Sequence, residues 1–104
     1  MIEADVFRAL GDPTRRALYE RLSAGETHVA ELTAALAISQ PAVSQHLAAL
    51  RLAGLVRERR DGRRTYYRTE PDGLSPVIEW MARTGAFWPD RIERLKDLLK
   101  RMDQ

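Results

Sequence analysis

The run Ser39-Gln-Pro-Ala-Val-Ser-Gln-His46 gathers side chains suited to recognising nucleic acid. Gln40 and Gln45 carry amides that can pair with an adenine edge at two points. Ser39 and Ser44 are short, and Ala42 can lie against a thymine methyl. Ser39, Gln40 and the free N–H groups of a helical first turn can hold a phosphate. Further along, Arg59, Arg60, Arg63 and Arg64 surround Asp61-Gly62. Arginines at such a tip suit phosphate contact or insertion into a minor groove. Plainer readings stand beside these: Ser39 as a simple helix cap, the glutamines as solvated polar groups, the arginines as a solvated face. His46 is open between a half-buried backbone-bonded histidine, a phosphate contact and a metal ligand, and His28 reads as a solvent-facing residue.

Other chemistry finds little support. The chain has no cysteine, which removes disulfides, thiolate metal sites and thiol nucleophiles. His28 and His46 have no local histidine partner. No Ser/His/Asp arrangement, metal cluster or phosphate loop appears, so an enzyme is not expected, and neither is a cofactor.

Net charge is only +2 over 104 residues, but it is unevenly placed. Between Arg51 and Arg68 seven arginines meet two acids, while the remainder is slightly acidic. That distribution points to a polyanion met at one face. Acids in Met1-Ile-Glu-Ala-Asp5 do not suit a signal peptide, and no apolar run is long enough to span a membrane, so a cytoplasmic protein without a membrane partner is expected.

The elements that must position these residues follow from periodicity. Residues 4–10 read as a short helix with Val6, Phe7 and Leu10 on one side. Asp12-Pro13 begins a second, with Ala17, Leu18 and Leu22 inward. A third covers about 28–36, burying Val29, Leu32 and Leu36. After a tight turn at Ile38, Ser39 caps a fourth. Pro41 falls in its first turn, Val43, Leu47 and Leu50 share one face, and Gly54 ends it. Asp61-Gly62 between strand-like runs predicts a hairpin over 55–69 turning at those two residues. Alternation puts Arg64, Tyr66 and Arg68 on one face and Thr65, Tyr67 and Thr69 on the other.

This order predicts a single mainly α (α+β) domain over 1–104. It is a winged helix-turn-helix, with the helix-turn-helix at about 28–53 and a two-stranded β-hairpin wing at 55–69. A long C-terminal dimerisation helix covers about 74–102. Leu74, Ile78, Met81, Gly85, Trp88, Ile92, Leu95, Leu99 and Met102 keep one heptad frame. The unbroken frame favours one helix kinked near Pro89; Thr84-Gly85 and Trp88-Pro89 offer the alternative of two helices. One helix of this length would be about 43 Å long, more than a monomer of this size can cover. A two-fold dimer is therefore expected through Ile78, Met81, Trp88, Ile92, Leu95 and Leu99, helped by Val6 and Phe7. A small apolar effector near Trp80, Met81 and Trp88 is a further possibility, with interface core the commoner role for such aromatics.

The string from Ala30 to Val56 containing Ser-Gln-Pro-Ala-Val-Ser-Gln-His-Leu resembles the ArsR/SmtB family of bacterial winged-helix repressors. So do Arg60-Asp-Gly-Arg-Arg-Thr-Tyr-Tyr67 and the opening Phe7-Arg-Ala-Leu-Gly-Asp-Pro-Thr-Arg-Arg-Ala-Leu18. The resemblance covers nearly the whole chain. It implies a homodimeric repressor on double-stranded DNA at a palindromic operator, often its own promoter. The family's metal-sensing cysteine pair would fall on His28 and Ala30, and the last helix has no histidine, so neither metal site carries over. The chain is more similar to the cysteine-free, non-metal-sensing branch whose last helix has aromatics placed like Trp80 and Phe87-Trp88. Ala37 stands where that family commonly has glycine, which implies a different or slightly strained turn. The alternative function is a winged-helix protein-interaction module without specific DNA binding. The operator sequence and any effector are not readable.

Overall fold

The computed structural model describes residues 2–85 and 88–102. Its first two helices meet at Asp12: α1 spans Ile2–Gly11 and α2 spans Pro13–Ser23. Asp12 Oδ1 accepts the N–H groups of Thr14 (2.8 Å) and Arg15 (3.0 Å). Those are donors a helix start otherwise leaves unpaired. Arg15 turns back and donates from Nε to the carbonyl of Ala9 (2.6 Å) and from Nη2 to that of Arg8 (3.1 Å). One short segment thus starts α2 and finishes α1. The donated N–H of Arg15 holds the Asp12 carboxyl below its ordinary value, aided by Thr14 and by the charges of His46 and Arg15, with desolvation opposing.

A short strand, β1 (Thr27–His28), leads into α3 (Val29–Leu36), a tight turn and α4 (Gln40–Leu52). His28 caps α3, its Nδ1 accepting the Glu31 N–H at 3.4 Å. Ser39 caps α4, its Oγ accepting the Ala42 N–H at 3.3 Å. Between them Ala37 adopts φ 53° and ψ 38°, the left-handed region. Its Cβ makes that conformation costly, so the strain expected at this position is present.

β2 (Val56–Asp61) and β3 (Arg64–Thr69) form the hairpin. The expected turn is displaced by one residue. Asp61 pairs with Arg64, leaving Gly62-Arg63 as the two-residue loop. Gly62 has φ 63° and Arg63 stays at negative φ, the pattern of a II′ turn with glycine first. An Asp61-Gly62 loop of type I′ would instead have forced Asp61 into the left-handed region. The sheet also has three strands rather than two, in the order β1-β3-β2, with Thr27 opposite Tyr67 and His28 opposite Tyr66. Two residues are too few for alternation to announce a strand.

The core gathers Val6, Leu18, Leu22, Leu32, Val43, Leu47, Leu50, Leu55 and Val56. Gly73 is packed where the turn after β3 crosses the end of α4: a Cβ there would lie 2.7 Å from the Gly54 carbonyl oxygen.

The single C-terminal helix is not what forms. α5 covers Ser75–Thr84 and α6 covers Trp88–Met102. Gly85 ends α5 at φ −113°, ψ 57°, its N–H reaching the Met81 carbonyl at 2.8 Å. Pro89 then falls in the first turn of α6, where a missing N–H costs little. A heptad frame records which residues share a face within a helix and does not require that consecutive helices be continuous. No helix among the described residues is long and apolar enough to cross a membrane.

Two outcomes follow. Ala37→Gly is expected to stabilise the protein by about 1 kcal/mol, the left-handed penalty less part of the added chain entropy. Thermal melting would show a midpoint several degrees higher. Asp12 has a lowered folded pKa, so its stabilisation is present above the unfolded value of 3.8 and is lost as pH falls through the folded one. Asp12→Asn keeps a capping oxygen but does not titrate there, and denaturation below pH 5 should show a shallower acid limb.

Candidate nucleic-acid interface

The inner side of α4 is closed: Val43, Leu47 and Leu50 have no accessible surface. Its outer side begins with Gln40, Pro41, Ser44 and Gln45, all exposed, with Ala42 and His46 half-buried beside them. Ser39, the cap, is exposed as well. The sequence-expected reading residues therefore share the outward edge of the first turns of α4, where the helix dipole favours anions. His46 is close enough to the start of α2 for its charge to help lower the Asp12 carboxyl.

The wing sorts its arginines into two kinds. Arg60 and Arg63 are exposed and make no side-chain hydrogen bond or ion pair among the described residues. The others are engaged. Arg59 donates from Nη2 to Glu26 Oε1 (2.6 Å) and from Nε to Glu26 Oε2 (3.3 Å). Its Nη1 lies 3.7 Å from Asp61 Oδ2, and its guanidinium sits 4.8 Å from the centre of the Tyr66 ring. The hydrogen bond to Arg59 lowers the Glu26 carboxyl and raises the guanidinium. Arg64 Nη1 lies 3.1 Å from His28 Nε2, and Arg57 pairs with Glu70. Gly62 carries the positive φ that lets the tip turn.

Sequence reasoning missed Glu26, Glu70 and the work of His28. His28 is no idle surface residue: it caps α3, meets Arg64 and stands edge-on to Tyr66 at 5.7 Å. The Glu26–Arg59 and His28–Arg64 contacts join positions 33 and 36 residues apart. Only the pairing of β1 with β3, itself unannounced, brings them together. On the inner face Tyr67 donates to Glu58 (3.2 Å), and burial first, then Glu58, raises its phenol.

The expected association residues divide as well. Ile78 (62 % exposed), Met81 (42 %), Ile92, Leu95 and Leu99 lie open. Leu98 and Met102 extend the same apolar side of α6. Phe7 is exposed and packs edge-on to Trp80 at 5.2 Å, tying α1 to α5. Val6 is a correction: it is fully enclosed, in the core cluster that also holds Leu18, Leu22 and Leu47. It has no surface to give a partner. Phe87 and the side chain of Trp88 lie outside the described residues.

Residues 12–58 match the family model described as bacterial regulatory protein, arsR family. The chain is 49% identical over 71 residues to the HTH-type transcriptional regulator Rv2034 of Mycobacterium tuberculosis, covering 68% of this chain and 66% of that protein. It is 43% identical over 99 residues to the arsenic resistance transcriptional regulator ArsR2 of Pseudomonas putida, covering 90% of this chain and 86% of the relative. The solved structure of an ArsR-like transcriptional regulator from Rhodococcus sp. RHA1 matches with a TM-score of 0.73 at 33% identity, over 91% of this chain and 90% of that one. With its capped α4 and basic wing, this chain belongs to the arsR family of DNA-binding transcriptional regulators and is not an enzyme.

Proposed function

We propose that the chain is a homodimeric repressor acting on a palindromic operator in the cytoplasm. The observation that carries this reading is the outward edge of α4, where the side chains of Gln40, Ser44 and Gln45 make no hydrogen bond among the described residues, set beside a wing tip with two unengaged arginines. Gln40, Ser44 and Gln45 read base edges, with Ala42 against a thymine methyl. Ser39, Pro41 and His46 shape and flank the phosphate-binding first turn. Arg60, Arg63 and Arg64 meet the backbone around Gly62.

The dimer is supported by shape and by exposed surface. The radius of gyration is 17.0 Å, against about 13 Å for a compact chain of this length. All described residues of α6 from Asp90 to Met102 are exposed, including Ile92, Leu95, Leu98 and Leu99. An apolar stripe of that size marks an association surface. A two-fold pairing through α5, α6 and Phe7 places two reading helices for half-sites about 34 Å apart.

The relative's name connects it with arsenic resistance, but soft-metal sensing through thiolates has no residue to carry it in these 104 residues. Among the described residues no group of three or more His, Asp and Glu could hold a metal ion.

Sedimentation at micromolar concentration should give twice the chain mass of 11.9 kDa. Footprinting on the chain's own upstream region should show two protected half-sites about one helical turn apart. A monomer, or protection indifferent to sequence, would contradict the proposal. Arg60→Ala and Arg63→Ala should each flatten the dependence of log Kd on log salt by about 0.9 per protomer. Arg57→Ala, its guanidinium already paired with Glu70, should leave that slope unchanged.

A further inference from the structure

Arg59 stands at the foot of the wing tip, and its half-exposed guanidinium is already paired within the protein. Two N–H groups meet the two oxygens of Glu26, the third nitrogen faces Asp61, and the plane lies against Tyr66. The two-point fork on Glu26 is the geometry with which arginine grips a phosphate. Glu26 belongs to neither the reading helix nor the hairpin. It sits in the connection between α2 and β1, and reaches across β3 to a residue 33 positions away. Tyr66 is steadied in turn by the edge of His28. Arg60 and Arg63, by contrast, are unengaged. The wing thus carries phosphate-seeking arginines in two states, free and already satisfied.

We propose that Glu26 is an internal stand-in for a DNA phosphate, holding Arg59 away from the backbone and so lowering sequence-independent binding. Phosphate contacts supply essentially all non-specific affinity, and base contacts supply discrimination. An arginine withheld from phosphates weakens specific and non-specific sites by the same factor and removes one phosphate contact from the salt dependence of both. Glu26 in this sense sets overall affinity for DNA while touching neither base nor phosphate.

The inference rests on the wing meeting phosphates, and the experiment separates the two. Binding to a duplex of about 30 bp and arbitrary sequence is measured against salt for the full chain. The variants are Glu26→Gln, Arg59→Ala, the two combined, and Arg63→Ala. Arg59→Ala alone is expected to leave the slope of log Kd against log salt at the wild-type value. Glu26→Gln, near-isosteric but uncharged, releases Arg59 and steepens the slope by about 0.9 per protomer, about a 3.5-fold larger loss of affinity between 50 and 200 mM salt. The double variant returns to the wild-type slope. Three results overturn the proposal: a flatter slope for Arg59→Ala, which would put Arg59 on a phosphate already; no change for Glu26→Gln; or a steepening that persists in the double variant, which would make Glu26 a through-space charge only. An unchanged slope for Arg63→Ala would instead sink the wing reading itself. Arg59→Gln, which keeps a polar side chain but not the charge, replaces Arg59→Ala if thermal melting shows that variant to be unfolded.

Discussion

Val43, Leu47 and Leu50 line the inner side of α4 and share one water-free core with Leu18, Leu22, Leu32 and Leu55. Each buried aliphatic side chain contributes about 1.5–3 kcal/mol, in a fold whose net stability is of order 5–15 kcal/mol. This packing sets the direction in which Gln40, Ser44 and Gln45 face. The spacing of four and three that drives the stripe inward turns the polar residues outward, and Ser39 sets where the helix begins. The proposed recognition surface is therefore a by-product of packing: the polar side of α4 faces out because its other side is dry. Gly54, Leu55 and Gly73 continue that constraint into the wing, since the turn after β3 lies directly on the connection between α4 and β2.

Electrostatics does a separate job on this frame. The basic segment looks uniform as a string, yet its arginines are not equivalent once folded. Arg57 and Arg59 are held by Glu70 and Glu26, Arg64 meets His28, and Arg60 and Arg63 are free of such partners among the described residues. These pairs are partly exposed, so each contributes little to stability. Their effect is on which positive charges are available and where the guanidinium planes point. The same few residues also bind the wing to the helix-turn-helix, because His28 is at once the cap of α3, the end of β1 and a neighbour of Tyr66.

The local rules were legible in the residues. Caps at Asp12 and Ser39, the buried stripe of α4 and the alternation of β3 all follow from chemistry within a few positions, while the strained turn at Ala37 was implied by the family resemblance. What escaped depended on distance or on competition. Two residues of β1 carry no periodic signal, and the partners of Arg59 and Arg64 lie more than thirty positions away. The hairpin turn shifted by one because either Asp61-Gly62 or Gly62-Arg63 can hold a loop, and register with Thr69 and Tyr67 decides between them. The heptad frame over the last third favoured one continuous helix, whereas α5 ends at Gly85 and α6 begins at Trp88, with Ile92, Leu95 and Leu99 exposed on it. Val6 had the right hydrophobicity for an interface and the wrong side of α1.

The central claim is that one rigid unit, the outer edge of α4 with the wing tip, meets DNA while the helices at the other end meet a second chain. Amide chemical-shift mapping during titration with a duplex tests it most directly. The account predicts perturbations concentrated at residues 39–46 and 60–64, with α5 and α6 little changed. Perturbations centred on α5 and α6, with residues 39–46 unmoved, would contradict it.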